Sequence, residues 1–146
     1  MKPGQSQHMS VQPTLPAVAR AVQDWQAQLP ATLDEHQRFT IAVAVAEVLT
    51  NIVEHGYEGR GGPAIDFAWA ATASGLVVEV RDAGRPIPRD RLDQAGADTT
   101  FGFDPTDLGG LPESGMGLGI VKTAFDHVAY RSRDGINRLR LGKRFR

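Results

Sequence analysis

One stretch constrains this chain more than any other: Ile41-Ala-Val-Ala-Val-Ala-Glu47-Val-Leu-Thr-Asn51-Ile-Val-Glu54-His55-Gly-Tyr57. It is an apolar run of helical length, interrupted by a carboxylate and a carboxamide four residues apart. On a helix, positions i and i+4 share one face. Glu47 and Asn51 are therefore predicted to point together out of a segment that otherwise packs into a core. Helices rarely carry Glu inside such a run unless the side chain is paired or used. Taken alone, the segment leaves two readings open: Glu47 is a boundary residue exposed at a helix bend, or it belongs to a site.

The rest of the chain offers one domain to build around that helix. At 146 residues, 41% of them hydrophobic and 23% charged, it can bury a core without staples. It contains no cysteine, which excludes disulfides, thiol catalysis and Cys-ligated zinc. A net charge of −1 gives no basic footprint for nucleic acid. No apolar run approaches the roughly 18 residues of a membrane span, and Met1 to Met9 lack the apolar centre of a signal peptide. A cytoplasmic protein with neither a nucleic-acid nor a membrane partner is expected.

In chain order, residues 1–13 are polar and broken by Pro3 and Pro13, and read as a flexible arm or a short edge strand. Leu15, Val18, Ala19, Val22, Trp25 and Leu29 have helical spacing, with Thr14 as a cap and Pro16 in the first turn. Thr32-Leu-Asp-Glu35 reads as a capping box for a second helix that ends near His55. Residues 64–70 and 76–81 alternate as two strands of a hairpin. Residues 83–114 are rich in Gly and Pro, with one short helical turn at Arg89–Leu92. A stretch of this kind is usually functional, and residues 85–114 read as a lid. A third helix is predicted from Leu118 to Phe125, then strands from Val128 and from Ile136 to Phe145 about an Asp134-Gly135 turn. The predicted class is α+β, a two-layer sandwich with helices on one face of a mostly antiparallel sheet.

Three stretches could carry chemistry: Glu47…Asn51; Asp82-Ala-Gly84-Arg-Pro-Ile87-Pro88; and Ser114-Gly115-Met116-Gly117-Leu118-Gly119 at a helix start. Singly, each has a bland reading. Asp-x-Gly is most often a turn, and Gly-x-Gly-x-Gly is weak by itself. The glycines are not a P-loop, because no Gly-Lys-[Ser/Thr] follows. They are not a dinucleotide-binding fingerprint either, because a long loop, not a strand, precedes them. His55 reads as a structural cap, and Trp25 and Trp69 as core.

Together and in this order, the three stretches resemble the N, G1 and G2 boxes of the Bergerat-fold ATPases, the superfamily of gyrase, MutL and the histidine kinases. Glu47-x-x-x-Asn51-x-x-x-His55-Gly-Tyr57, Asp82-x-Gly84 and Ser114-Gly-Met-Gly-Leu-Gly119 are most similar to the serine-kinase anti-sigma factors of the RsbW type. The resemblance implies ATP and Mg²⁺ as cofactors, Glu47 as general base and Asn51 as Mg²⁺ ligand. It implies Asp82 as acceptor for the adenine amino group, beside Gly84 and Ile87. Gly115, Met116, Gly117, Leu118 and Gly119 would present phosphate-binding backbone at a helix N-terminus. The function implied is an ATP-dependent serine/threonine protein kinase in a partner switch, phosphorylating a STAS-domain antagonist and binding a sigma factor. Two alternatives remain: an ATP-binding module that sequesters a partner without transfer, and a detached histidine-kinase catalytic domain. The family's first strand pairs at the sheet edge and contributes to a homodimer. Here residues 7–13 lead us to expect that strand to be weak or missing.

Overall fold

Side-chain caps set where the first two helices of this protein begin. The computed structural model describes residues 6–94, 98–99 and 116–145. Its elements are β1 Gln7–Val11, α1 Leu15–Gln26, α2 Glu35–Asn51 with a π turn Ile52–Gly56, β2 Ile65–Ala71 and β3 Gly75–Asp82. They continue with α3 Arg89–Gln94, β4 Asp98–Thr99, α4 Met116–Ala124, β5 His127–Arg133 and β6 Ile136–Arg144. The strands form one sheet in the order β1-β2-β3-β6-β5-β4. All neighbours are antiparallel except β4 with β5. This is the expected α+β arrangement; the two-residue parallel strand β4, inside the segment read as lid, was not expected.

Helix α1 starts at Thr14, whose hydroxyl accepts the Ala17 N–H at 3.3 Å. Helix α2 has a capping box, two residues later than the sequence suggests. The Asp34 carboxylate accepts the Gln37 N–H at 2.7 Å, and the Gln37 side chain accepts the Asp34 N–H at 3.1 Å. The shift has a cause. The Leu33 N–H closes a turn onto the Pro30 carbonyl at 3.2 Å, and Leu33 is buried, so residues 30–33 cannot join the helix. Arg38 secures that turn by donating to the Pro30 and Leu33 carbonyls.

The helical run Glu35–Gly56 is long and apolar enough to cross a bilayer, with a mean hydropathy of 1.2, but 56% of its most apolar window is buried inside the domain. Ile41, Ala44, Val45, Val48 and Leu49 join Phe67, Val78, Val80 and Leu141 in one core. Trp25 packs edge-on against Phe67 and Trp69, with ring centroids 5.2 and 6.4 Å away. Both tryptophans are therefore core, as expected. Helix α4 packs on α2, and α3 on α4.

Residues 7–11 are a paired strand, not a flexible arm and not missing. Met9 faces Phe67 and Val11 faces Ile65 in register. Val11 is buried and Met9 packs on the core, while Ser10 and His8 face out. An edge strand needs only one hydrogen-bonded neighbour and one apolar face, and Pro13 falls beyond its end. The predicted turn between β5 and β6 is present, with Asp134 and Gly135 at φ 55° and 80°, as a two-residue hairpin of matching twist requires.

Candidate functional site

Helix α2 carries Glu47 half-buried and ends on Asn51, which is only 7% exposed. A buried carboxamide needs partners. Asn51 Oδ1 accepts a hydrogen bond at 3.0 Å from the Arg91 guanidinium on α3. The oxygen at which sequence reasoning places a metal ion thus meets a cation in this structure. Arg91 was not among the residues singled out from sequence; forty positions separate it from Asn51, and nothing in its local spacing marks it.

Past Asn51 the helix widens into the π turn. The Tyr57 N–H reaches the Ile52 carbonyl five residues back at 2.8 Å. Such turns are frequent at functional sites because they redirect backbone groups. Here the Gly56 carbonyl accepts the Arg85 N–H at 2.8 Å, tying the end of the helix to the loop after β3. His55, expected to cap this end, is exposed instead and makes no side-chain hydrogen bond among the described residues; the wider turn satisfies the helix end through backbone groups. The Tyr57 hydroxyl accepts the Ala83 N–H at 3.0 Å, and the Tyr130 hydroxyl accepts the Ile87 N–H at 2.9 Å. Two phenols from different elements therefore hold residues 83–87 in place. Burial pushes both tyrosines up, Tyr130 to about 12, so both stay neutral at physiological pH.

Asp82 ends β3 and is 7% exposed. Its Oδ1 accepts the Gly84 N–H at 2.8 Å and the Asn137 Nδ2–H at 2.9 Å. Asn137 also donates to the Gly84 carbonyl at 2.9 Å. Both acceptors lack a proton to give, so the amide orientation of Asn137 is determined. Burial raises the Asp82 carboxyl above its ordinary 3.8, and the bonds from Asn137 and Gly84 oppose the rise. Gly84 is required by space: a Cβ there would lie 2.7 Å from the Gly56 carbonyl carbon and oxygen.

Of the residues expected at the third box, Gly115 lies outside the described residues. Met116, Gly117, Leu118 and Gly119 form the first turn of α4. Leu118 is buried in the core. The N–H groups of such a first turn have no intrahelical acceptor, and they carry the positive end of the helix dipole. The fold thus brings the first two boxes into contact through Gly56, and seats the third on α2.

Three observations bear on whether a nucleotide and a metal fit here. Asn51 Oδ1 is a hard oxygen acceptor, and a metal ion would take it in place of the Arg91 guanidinium. The Gly84–Gly56 contact brings two backbones together beside Asp82, with the Tyr57 ring against them. Asn137 Oδ1 is buried without a hydrogen-bond partner, an uncompensated acceptor next to Asp82 that a ligand donor or a bound water would satisfy. The residues fit both groups.

Comparison with known proteins supports the same reading. Residues 10–143 match the family described as "Histidine kinase-like ATPase domain". An anti-sigma F factor of Clostridium botulinum (strain Eklund 17B / Type B) is 29% identical over 128 residues, covering 86% of this chain and 82% of that protein. An anti-sigma F factor of Clostridium beijerinckii is 30% identical over 117 residues, covering 79% and 74%. One of Clostridium acetobutylicum is 28% identical over 116 residues, covering 78% and 73%.

Proposed function

The chain belongs to the histidine kinase-like ATPase family, on its anti-sigma factor branch, and on that premise we propose that it is an Mg²⁺·ATP-dependent serine/threonine protein kinase of a cytoplasmic partner switch. It would phosphorylate a STAS-domain antagonist and, when free of it, hold a sigma factor. The observation that carries this reading is the pairing of Glu47 with Asn51 on one face of α2, with Asn51 buried and its oxygen facing a cation.

In the proposed site Asp82 accepts from the adenine amino group through Oδ2, since Oδ1 already serves Gly84 and Asn137. Ile87, buried and fixed by Tyr130, lines the base. Asn51 contributes its carboxamide oxygen to the metal, a hard donor suited to Mg²⁺. Bound Mg²⁺ would neutralise charge on the phosphates. The first turn of α4, from Met116 to Gly119, together with Gly115, supplies backbone N–H groups toward phosphate. Glu47 takes the proton of the attacking hydroxyl at its carboxylate, one helical turn from Asn51. The open edge of β1 is where a second copy would add in a homodimer.

The test is transfer of labelled γ-phosphate from ATP to a serine of a candidate STAS-domain protein. Glu47→Ala should retain ATP affinity and lose about 10²- to 10⁴-fold in transfer rate. Wild-type transfer by that variant would remove Glu47 from the mechanism. The Arg91–Asn51 bond favours one other reading, a module that binds ATP and a partner without transfer. A stable complex with no label transferred would select it.

A further inference from the structure

The helix-free face of the sheet carries an arrangement that ATP binding does not use. Along β3, β6 and β5 the outward residues are Arg81, Arg138 and Arg131, and they lie side by side: Arg81 opposes Arg138, and Arg138 opposes Arg131. Arg140 stands two residues along β6 from Arg138, and Arg133 two residues along β5 from Arg131. All five are exposed. Like charges directly opposite one another on a sheet are destabilising, and here three arginines stand in one row. No ion pair joins Arg81, Arg131, Arg138 or Arg140 to a carboxylate among the described residues; Arg133 alone meets Asp134, at 3.7 Å. These five are among 16 basic residues in a chain of net charge −1, and they stand together on one face of the sheet.

The ground around the arginines is low. Ala68, Ala129 and Gly142 occupy the neighbouring outward positions, with Val77 and Ile136 exposed at the margin. A depression of about 380 Å³ opens beside Arg131, Arg133, Asp134, Ile136 and Arg138. Small residues let a partner backbone approach, and exposed apolar groups beside arginines match the composition of protein interfaces better than that of a phosphate-binding track. Asp66 stands opposite Arg81 and Glu79 opposite Arg140, so the arginines form spaced positive positions among carboxylates, a pattern suited to spaced acidic side chains and not to a continuous polyanion.

We propose that this face docks an acidic helix of a protein partner, laid across β3, β6 and β5. The strands that carry the arginines lie about 4.8 Å apart, close to the roughly 5–6 Å between the Cβ atoms of residues i and i+4 of a helix. A second copy of the same face is disfavoured as occupant, because an isologous contact would bring five arginines from each copy together against only Asp66, Glu79 and Asp134 from each. The inference does not depend on the nucleotide site, which lies at the helix layer.

The probe is a fluorescein-labelled, alanine-rich helical peptide with glutamates four residues apart, its glutamine counterpart, and a mixed-sequence DNA duplex. The glutamate peptide should bind saturably, the glutamine peptide should not, and backbone amide shifts should centre on Arg81, Arg131, Arg138 and Arg140. Arg131→Glu with Arg138→Glu should weaken binding by roughly tenfold, the loss of one well-formed charge pair, with ATP affinity unchanged. Arg138→Gln guards against a folding artefact: it relieves the row, so it should keep or raise the melting temperature while still weakening peptide binding several-fold. The proposal is overturned by absence of peptide binding, by shifts mapping elsewhere, by equal binding of the charge-reversed variant, or by tighter binding of the duplex than of the peptide.

Discussion

Asn137, on the last strand, donates its carboxamide N–H to Asp82 at 2.9 Å and to the Gly84 carbonyl at 2.9 Å, so one side chain holds both members of the Asp-x-Gly stretch. It is 1% exposed, and its own oxygen has no partner. Asn137→Ala should destabilise the fold by about 1–3 kcal/mol, the cost of a buried acceptor left unsatisfied, and should weaken ATP binding because Asp82 is no longer held. Urea denaturation and calorimetric titration with ATP measure the two effects. A variant with reduced stability and wild-type affinity would separate Asn137 from the nucleotide.

The raised pKa of Asp82 makes stability depend on pH. Burial is the dominant cause. The native carboxyl keeps its proton to higher pH than the unfolded chain does, so its contribution favours folding fully below the ordinary 3.8 and is lost as pH rises through the native value. Asp82→Asn cannot titrate. Its stability, measured by denaturation at stepped pH, should fall less steeply than that of the wild type from pH 3.8 upward. Parallel profiles would contradict the raised pKa. The same variant should lose adenine-nucleotide binding.

In the proposed site Arg91 and a metal ion would compete for one oxygen. A guanidinium 3.0 Å from Asn51 Oδ1 must leave before a cation can coordinate there, because like charges cannot share the site. Arg91→Met should therefore increase Mg²⁺-dependent ATP affinity by roughly ten- to a hundredfold, given that a charge-assisted hydrogen bond is worth ~1.5–3 kcal/mol. Affinity in EDTA should change little. Equal losses with and without Mg²⁺ would instead identify Arg91 as a nucleotide ligand.

Two glycines of the motifs should respond in opposite directions to alanine. At Gly84 the new Cβ would sit 2.7 Å from the Gly56 backbone, and Gly56 is fixed by the Arg85 N–H. Overpacking of this kind costs about 1–3 kcal/mol. At Gly119, inside α4, a Cβ meets nothing within 4 Å, and alanine should stabilise the helix by up to ~1 kcal/mol while keeping the backbone N–H. Thermal melts of the two variants decide this, and a fall in melting temperature for Gly119→Ala would be contrary to it.

The helical face joining Glu47 and Asn51, the hairpin turns and the α+β class were all legible in sequence, because period, capping and turn chemistry act over four or five residues. The capping box was misplaced by two positions because the packing of Leu33 against the core decides where α2 can begin. The first strand was underestimated because its stability comes from β2 across the edge, not from its own composition. Arg91, Tyr130 and Asn137 left no local mark: each reaches the site from another element, across 40, 43 and 55 positions. What the sequence determined by itself was the set of chemical groups and the helix that carries two of them. What only the tertiary structure decided was their partners. A buried Asn51 or Asp82 must find donors, and which donors are near depends on where strands and helices meet in space.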